Sequence, residues 1–400
     1  MKPLDGIRVL DFSHALAGPY CTMQMAAYGA EVYKIEGTDT MDMGRTWGPP
    51  FQGGQASYFL GINSGKRAIS INLKHPKGLD LCRQLVEKAD VLIENFRPGS
   101  MTRLGLGYDA VRLWNPRLVY CSISGYGQNG PSRDDAAMDL IVQASSGLIS
   151  MTGTPDGQLA RCGHSVADIT SGMFALIGVL MALRAREQTG TGQFVDISML
   201  DSMISAMGSS FAYFLGSGIT PRPLGTAFAT IVPYAAFPAK DRDITIAVAS
   251  DKLWSSFCAA MGKPEWAADP RYSTNALRVK NRGELEPAIV DILRTKTAAE
   301  WVHILRTHGI PCTPVRNLRE VMDDPQTEAR EMFPQLQHPT AGKIRVTGVP
   351  VKFSETPGRV EFPAPLQAQH TREILRGLLA LDEAGIEELE RERIVAVRAD

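Results

Sequence analysis

The first 125 residues alternate between short apolar runs of strand type and longer stretches with helical spacing. IRVLDF (7–12), AEVYKIE (30–36), AISINL (68–73), DVLIENF (90–96) and RLVYCSISG (117–125) read as strands. Between them YCTMQMAAYG, PKGLDLCRQLVEKA and YDAVRLWNP read as helices, and Gly29 is placed to stop the first. Strands alternating with helices predict an α/β fold with a parallel sheet. Ligands of such sheets sit beyond the carboxyl ends of the strands, so loops 13–19, 36–50, 95–105 and 124–139 become candidate walls of a site.

Further on, the apolar run after His164 predicts a helix over 171–187, stopped by TGTGQ, and FVDISML reads as a strand entering a helix to about 210. Residues 211–232 are turn-rich. YAAFPAKDRDITIAVAS predicts a hairpin around the charged turn KDRD, with helices near 251–262 and 281–308. GKIRVTGVPVKFSETP predicts late strands, and the tail TREILRGLLALDEAGIEELERERIV a helix with an apolar stripe. The expected organisation is a Rossmann-like large domain over 1–205, a linker over 206–232, a small α+β domain over 233–325, and a return to the large domain over 326–400.

Composition narrows the function classes. Hydrophobic residues make up 44%, charged residues 21%, and the formal net charge is −1. No Lys/Arg block reaches five residues, which argues against nucleic acid and acidic membranes as partners. The longest apolar stretch, around Met173–Leu183, falls short of the roughly 20 residues that span a bilayer, and no signal peptide precedes the first strand. The six cysteines are scattered without a CxxC pair, and the seven histidines show no HExxH spacing. No metal site is expected, and the thiols read as reduced in a cytoplasmic chain. The first βαβ unit lacks GxGxxG, which argues against a bound dinucleotide.

Two sets of residues carry candidate chemistry. NSGKR (63–67), NLKHPKG (72–78) and NFRPGSMTRLGLG (95–107) supply Lys66, Arg67, Lys74, Arg97 and Arg103, most of them beside predicted strand ends, where they suit phosphate groups. Asp168 stands immediately before the apolar helix. There it serves equally as an N-cap, worth about 1 kcal/mol, or as a carboxylate nucleophile held ionised by the helix dipole. Cys162 beside His164 is an alternative nucleophile–base pair.

VLDFSHALAGPYCTMQMAAYGAEVYKIE, NSGKRAISINLKHPKG, VLIENFRPGSMTRLGLGY, YCSISGYGQNGP, MDLIVQASSGLISMTG, HSVADITSGMFALIGVLMAL and TGTGQFVDISMLD together resemble the class III CoA-transferases, also called the carnitine-dehydratase and bile-acid-inducible family. The resemblance runs in register over about residues 4–210 and more weakly beyond. It implies that Asp168 is the nucleophile, forming an aspartyl anhydride and an aspartyl-CoA thioester in turn. It also implies that His14, Leu16 and Ala17 line the pantetheine and thioester. Ile71, Asn72, Leu73, Lys74, Asn95, Phe96, Arg97 and Arg103 would hold the rest of CoA, while Met138 and Asp139 border the reacting carbonyl. The family fold implies an interlocked homodimer. CoA thioesters are then substrates, with no permanently bound cofactor.

Departures from the family pattern narrow the reaction. The α-methylacyl-CoA racemases of the same family carry Gly-His-Asp where this chain reads Ala137-Met138-Asp139, and methionine moves no proton. Formyl-CoA transferases have glutamine at the position of Leu16 and a four-glycine run that is missing here. GTAFATIVPYAAF (225–237) and RTWGPPF (45–51) instead resemble members that pass CoA from succinyl-CoA to glutarate or itaconate. Arg45, His14, Thr226 and Tyr234 are candidates for the far carboxylate of such an acceptor. A CoA-binding regulatory protein without catalysis is the non-enzymatic alternative.

Overall fold

In the computed structural model, which describes residues 1–398, the chain forms two compact units. The larger starts with β1 (Arg8–Asp11), α1 (Ala17–Ala27), β2 (Glu31–Glu36), the short hairpin β3 (Phe51–Gln52) and β4 (Gln55–Ala56), and α2 (Ser57–Ile62). There follow β5 (Arg67–Ile71), α3 (Pro76–Glu87), β6 (Val91–Glu94), α4 (Ser100–Arg103), α5 (Tyr108–Trp114) and β7 (Val119–Ser124). Then come α6 (Asp139–Ser145), α7 (Val166–Thr189), β8 (Phe194–Ser198), α8 (Met199–Ala206) and α9 (Gly208–Ser217).

These strands lie side by side in the order β5-β2-β1-β6-β7-β8, all parallel. β6 and β7 are buried along their whole length, as their Val/Ile/Leu-rich sequences require of strands covered on both faces. The chain moves outward through β1, β2 and β5, then jumps back to place β6 beside β1. That reversal makes β1/β6 the topological switch point, where a crevice opens at the carboxyl ends.

α7 begins five residues earlier than its pattern predicts. It is 24 residues long, with a mean hydropathy of 1.9 over its most apolar 18 residues. By length and composition it would reach across a bilayer, which corrects the expectation that no segment does. It packs against α1, β7, β8 and α8.

The second unit takes residues 149–160 and 220–324. It holds β9 (Tyr234–Pro238), β10 (Asp243–Ala247), α10 (Asp251–Ala260), α11 (Asn275–Lys280), α12 (Arg282–Leu293), α13 (Ala298–Thr307), β11 (Cys312–Pro314) and α14 (Leu318–Met322). β9 and β10 form the hairpin across KDRD, and β11 adds antiparallel to β10. Trp254, Phe257, Leu285, Ile289 and Trp301 fill its core. The single helix expected over 281–308 is two, because Thr297 and Glu300 form a capping box that starts a new helix.

The chain returns to the larger unit through α15 (Pro325–Ala329), β12 (Gln335–His338), β13 (Gly342–Arg345), α16 (Thr371–Leu379), α17 (Glu383–Arg391) and β14 (Val395–Ala396). β14 pairs antiparallel with the outer edge of β5. Ile374, Leu375 and Ile386 join the core that holds Leu10, Ile69, Leu85 and Leu92. The tail helix is interrupted at Ala380, which is left-handed (φ 54°), and Asp382 caps the second piece. Of the late strands expected over 342–357, only Gly342–Arg345 forms one.

Candidate active site

The crevice between β1 and β6 is stitched by one asparagine. The His14 N–H donates to Asn95 Oδ1 at 2.7 Å, and Asn95 Nδ2 donates back to the His14 carbonyl at 2.8 Å. The His14 ring meets Phe96 edge-on, with centroids 5.2 Å apart. Burial, reinforced by the charge of Lys34, holds the imidazole below its usual pKa and hence neutral at pH 7. Leu16 and Ala17 are buried where the loop enters α1, outside the lining of the strand-end cavity.

A cavity of about 240 Å³ opens at these strand ends. His14, Ile71, Asn72, Leu73, Lys74 and Phe96, all expected to hold CoA, line it together. Gly37–Thr40 and Leu104 line it too; they lie in the 36–50 and 95–105 loops expected as walls, though none of them is among the expected ligand residues. Arg97 and Arg103 lie in the turn and short helix after β6, outside the lining. Arg103 donates to Ser100 Oγ at 2.9 Å.

Asp168 is not the N-cap. Ser165 holds that position and Asp168 is the third residue of the first turn. The capping bond comes from Asp139, the first residue of α6, whose Oδ1 accepts the Ala167 N–H at 2.9 Å. Gln143 Nε2 steadies the other oxygen at 2.7 Å, and Gln143 Oε1 accepts the N–H of Cys162 at 2.9 Å. Asp139 is therefore bound up in helix capping, and its neighbour Met138 is exposed.

The Asp168 carboxyl itself has no hydrogen-bond or ion-pair partner among the described residues. Burial, and then the like charge of Asp139, push it up to about 7. Its helix approaches α1 closely because Gly172, one turn later, has no side chain. A Cβ there would lie 2.5 Å from the Ala17 carbonyl oxygen. Tyr58 completes the surroundings. Its phenol is raised by burial first and then by the charges of Asp168, Asp42 and Asp139, and its ring packs edge-on to Trp47 at 5.0 Å. Trp47 falls within RTWGPPF, a block the sequence marks, whereas Tyr58 carries no signal there.

Three expected ligand residues are engaged elsewhere. Arg45 is buried, donates to Glu36 at 2.8 and 2.7 Å and to the Pro365 carbonyl at 3.0 Å, and stacks on Phe59. Its charge is matched by the bidentate pair with Glu36, so it is committed to the core rather than held free for an acceptor carboxylate. Lys66 is fully buried against Asp11 at 2.8 Å, and burial lowers it to about 8. Arg67 opens β5 at its amino end, away from the crevice, and pairs with Glu373 at 3.2 Å. In the second unit, Thr226 and Tyr234 line a separate cavity of about 300 Å³, and Thr226 Oγ1 accepts the Ala236 N–H at 2.9 Å.

The arrangement thus leaves one carboxyl, that of Asp168, without a partner where α7 abuts the start of α1. A sequence profile described as CoA-transferase family III matches residues 4–371. The succinyl-CoA:glutarate CoA-transferase of Mus musculus is 38% identical over 97% of this chain and 89% of its own. An acetyl-CoA:oxalate CoA-transferase of Acetobacter aceti is also 38% identical, over 91% of this chain and 96% of its own. The crystal structure of a CAIB/BAIF family protein from Brucella suis superposes with a TM-score of 0.85 at 33% identity, covering 94% of this chain and 99% of that one. The chain therefore belongs to CoA-transferase family III and is an enzyme that transfers coenzyme A.

Proposed function

We propose that the enzyme moves CoA from succinyl-CoA to a C4–C6 dicarboxylic acid such as glutarate or itaconate, with Asp168 as nucleophile. The observation that carries this reading is the Asp168 carboxyl, desolvated and unpartnered where α7 abuts the start of α1. The carboxylate attacks the thioester carbon, the C–S bond breaks, and CoA leaves as thiolate from a mixed aspartyl anhydride. The thiolate then attacks the aspartyl carbonyl, releasing succinate and forming an aspartyl-CoA thioester. The acceptor carboxylate attacks that thioester, and the freed thiolate takes the acceptor acyl group, restoring Asp168. One thioester replaces another, so no nucleotide hydrolysis is required.

The choice of acceptor is supported by the mouse relative's glutarate activity and by the apolar Leu16. The Acetobacter relative makes oxalate the competing acceptor. The CoA portion is assigned to the cavity of His14, Asn72, Lys74 and Phe96, with Asn95 fixing the His14 loop and Arg97 and Arg103 serving the phosphates. We also propose that the active form is a homodimer.

Incubation with succinyl-CoA followed by hydroxylamine should convert Asp168 to a hydroxamate, located by peptide mass spectrometry. A panel of C2–C6 dicarboxylates should then yield new thioesters for glutarate or itaconate above oxalate. Transfer at the wild-type rate in Asp168→Ala would overturn the nucleophile, and preference for oxalate would overturn the acceptor.

A further inference from the structure

Beneath the His14 loop lie six ionisable side chains in balanced number: Asp11, Glu36 and Asp42 against Lys34, Arg45 and Lys66, all buried. One of them touches both loops above it. Asp42 Oδ1 accepts the Ala15 N–H at 2.9 Å and the Gly44 N–H at 2.8 Å. Its other oxygen pairs with Lys34 Nζ at 2.8 Å, and that same amine donates to the Ser13 carbonyl at 2.8 Å. Asp42 also donates its own N–H to Glu36, at 3.0 Å.

The two loops so joined have different duties. Ala15 lies between His14 and Leu16 and is held in the left-handed region (φ 63°), a conformation that alanine keeps only when its neighbours impose it. Gly44 lies in the turn Met43–Thr46 that leads to Trp47, which packs on Tyr58. Between the strained turn on one side and the aromatic pair on the other, a single oxygen accepts both N–H groups.

We propose that Asp42 is a positioning residue: its carboxylate fixes the His14 loop against the Trp47 loop and so sets the fit of the acyl group beside Asp168. This rests on the acyl-transfer reading above. Loss of the bridge lets the two walls move independently, which weakens discrimination between acyl groups without removing the nucleophile.

Two charge-balanced pairs separate the bridge from the buried charge. Lys34→Met with Asp42→Asn removes both charges and keeps an oxygen for the two N–H groups. Lys34→Met with Asp42→Ala removes the oxygen as well. The alanine pair is expected to raise KM for succinyl-CoA by about tenfold or more, with a smaller change in kcat, and to alter the succinyl-to-acetyl preference. The asparagine pair should restore both. Hydrogen exchange at Ala15 and Gly44 should quicken in the alanine pair alone, a readout that stands even if the wild type proves not to transfer acyl groups. Like behaviour of the two pairs in kinetics and exchange overturns the proposal. Should the methionine pairs fail to fold, the wild type decides: slow exchange at both the Ala15 and Gly44 amides supports the bridge, and exchange at either at the rate of an unbonded loop amide overturns it.

Discussion

At the residue scale the proposed chemistry turns on an acid whose pKa has moved the unfavourable way. Asp168 goes from 3.8 to about 7 on folding, so the native state holds its proton longer than the unfolded chain does. Between those values each unit of rising pH costs native stability, and above about pH 7 the loss is complete. Asp168→Asn should therefore be more stable than wild type at pH 8, by on the order of 1–3 kcal/mol, and equal to it near pH 4, as thermal melts would reveal. Transfer should follow the opposite course, rising with pH to a plateau above about 7 as the nucleophile ionises. Asp139→Asn removes the like charge while keeping an oxygen for the Ala167 N–H. It should move that acid limb to lower pH, though not into the ordinary carboxylate range, since burial is the larger cause. A pH–rate profile checks both. The sequence placed Asp168 at the start of a helix but could not tell cap from first turn, because the capping oxygen belongs to Asp139, 29 residues earlier. Arg45 and Lys66 misled for a related reason. Basic residues near strand ends look alike in a sequence whether they face a phosphate or a buried carboxylate such as Glu36 or Asp11.

Elements were legible wherever the pattern was local. The strands of the parallel sheet through β7 fall on short runs rich in β-branched and other apolar residues, and the β9–β10 hairpin straddles a charged turn. Helix ends were harder. The breaks at Thr297 and Ala380 lie inside stretches whose apolar spacing continues across them, so only cap geometry divides them. Close approaches between elements left almost no trace. Gly172 looks like any small residue in an apolar helix, yet it is what lets α7 reach the Ala17 carbonyl. Gly172→Ala puts a methyl group 2.5 Å from that oxygen and 3.1 Å from the Tyr20 ring. The expected cost is about 1–3 kcal/mol of stability. Because Asp168 moves with the helix, kcat should also fall by roughly tenfold to a hundredfold. Gly208→Ala, with open space at its Cβ, should leave both unchanged. Denaturant melts and steady-state kinetics on the two variants make the comparison, and equal effects would detach the Gly172 contact from the position of the nucleophile.

Across the whole molecule, the alternation of strands and helices announced a parallel sheet, while the order of its strands came from contacts no local pattern records. The same is true of what the sheet's outer helices face. α7 leaves Met173, Ile177, Leu180 and Met181 exposed, spaced four, three and one apart, which is a single stripe. α6 adds Leu140 and Ile141, α8 adds Ile204, and α9 adds Phe214 and Leu215, on helices that pack against α7 or its neighbours. Apolar surface of that extent is uncommon on a free monomer. An exposed apolar helical stripe of this kind suits a two-fold interface with a second copy. Sedimentation equilibrium at micromolar concentration should give twice the chain mass. Ile177→Lys and Met181→Lys together, which set two charges in the middle of the stripe, should lower it toward one chain and reduce transfer with it. Since α7 also has the length and apolarity of a bilayer span, flotation with neutral liposomes is the companion measurement. A monomer that floats would assign the stripe to lipid instead, and a monomer that neither floats nor loses activity on charging the stripe would leave the homodimer without support.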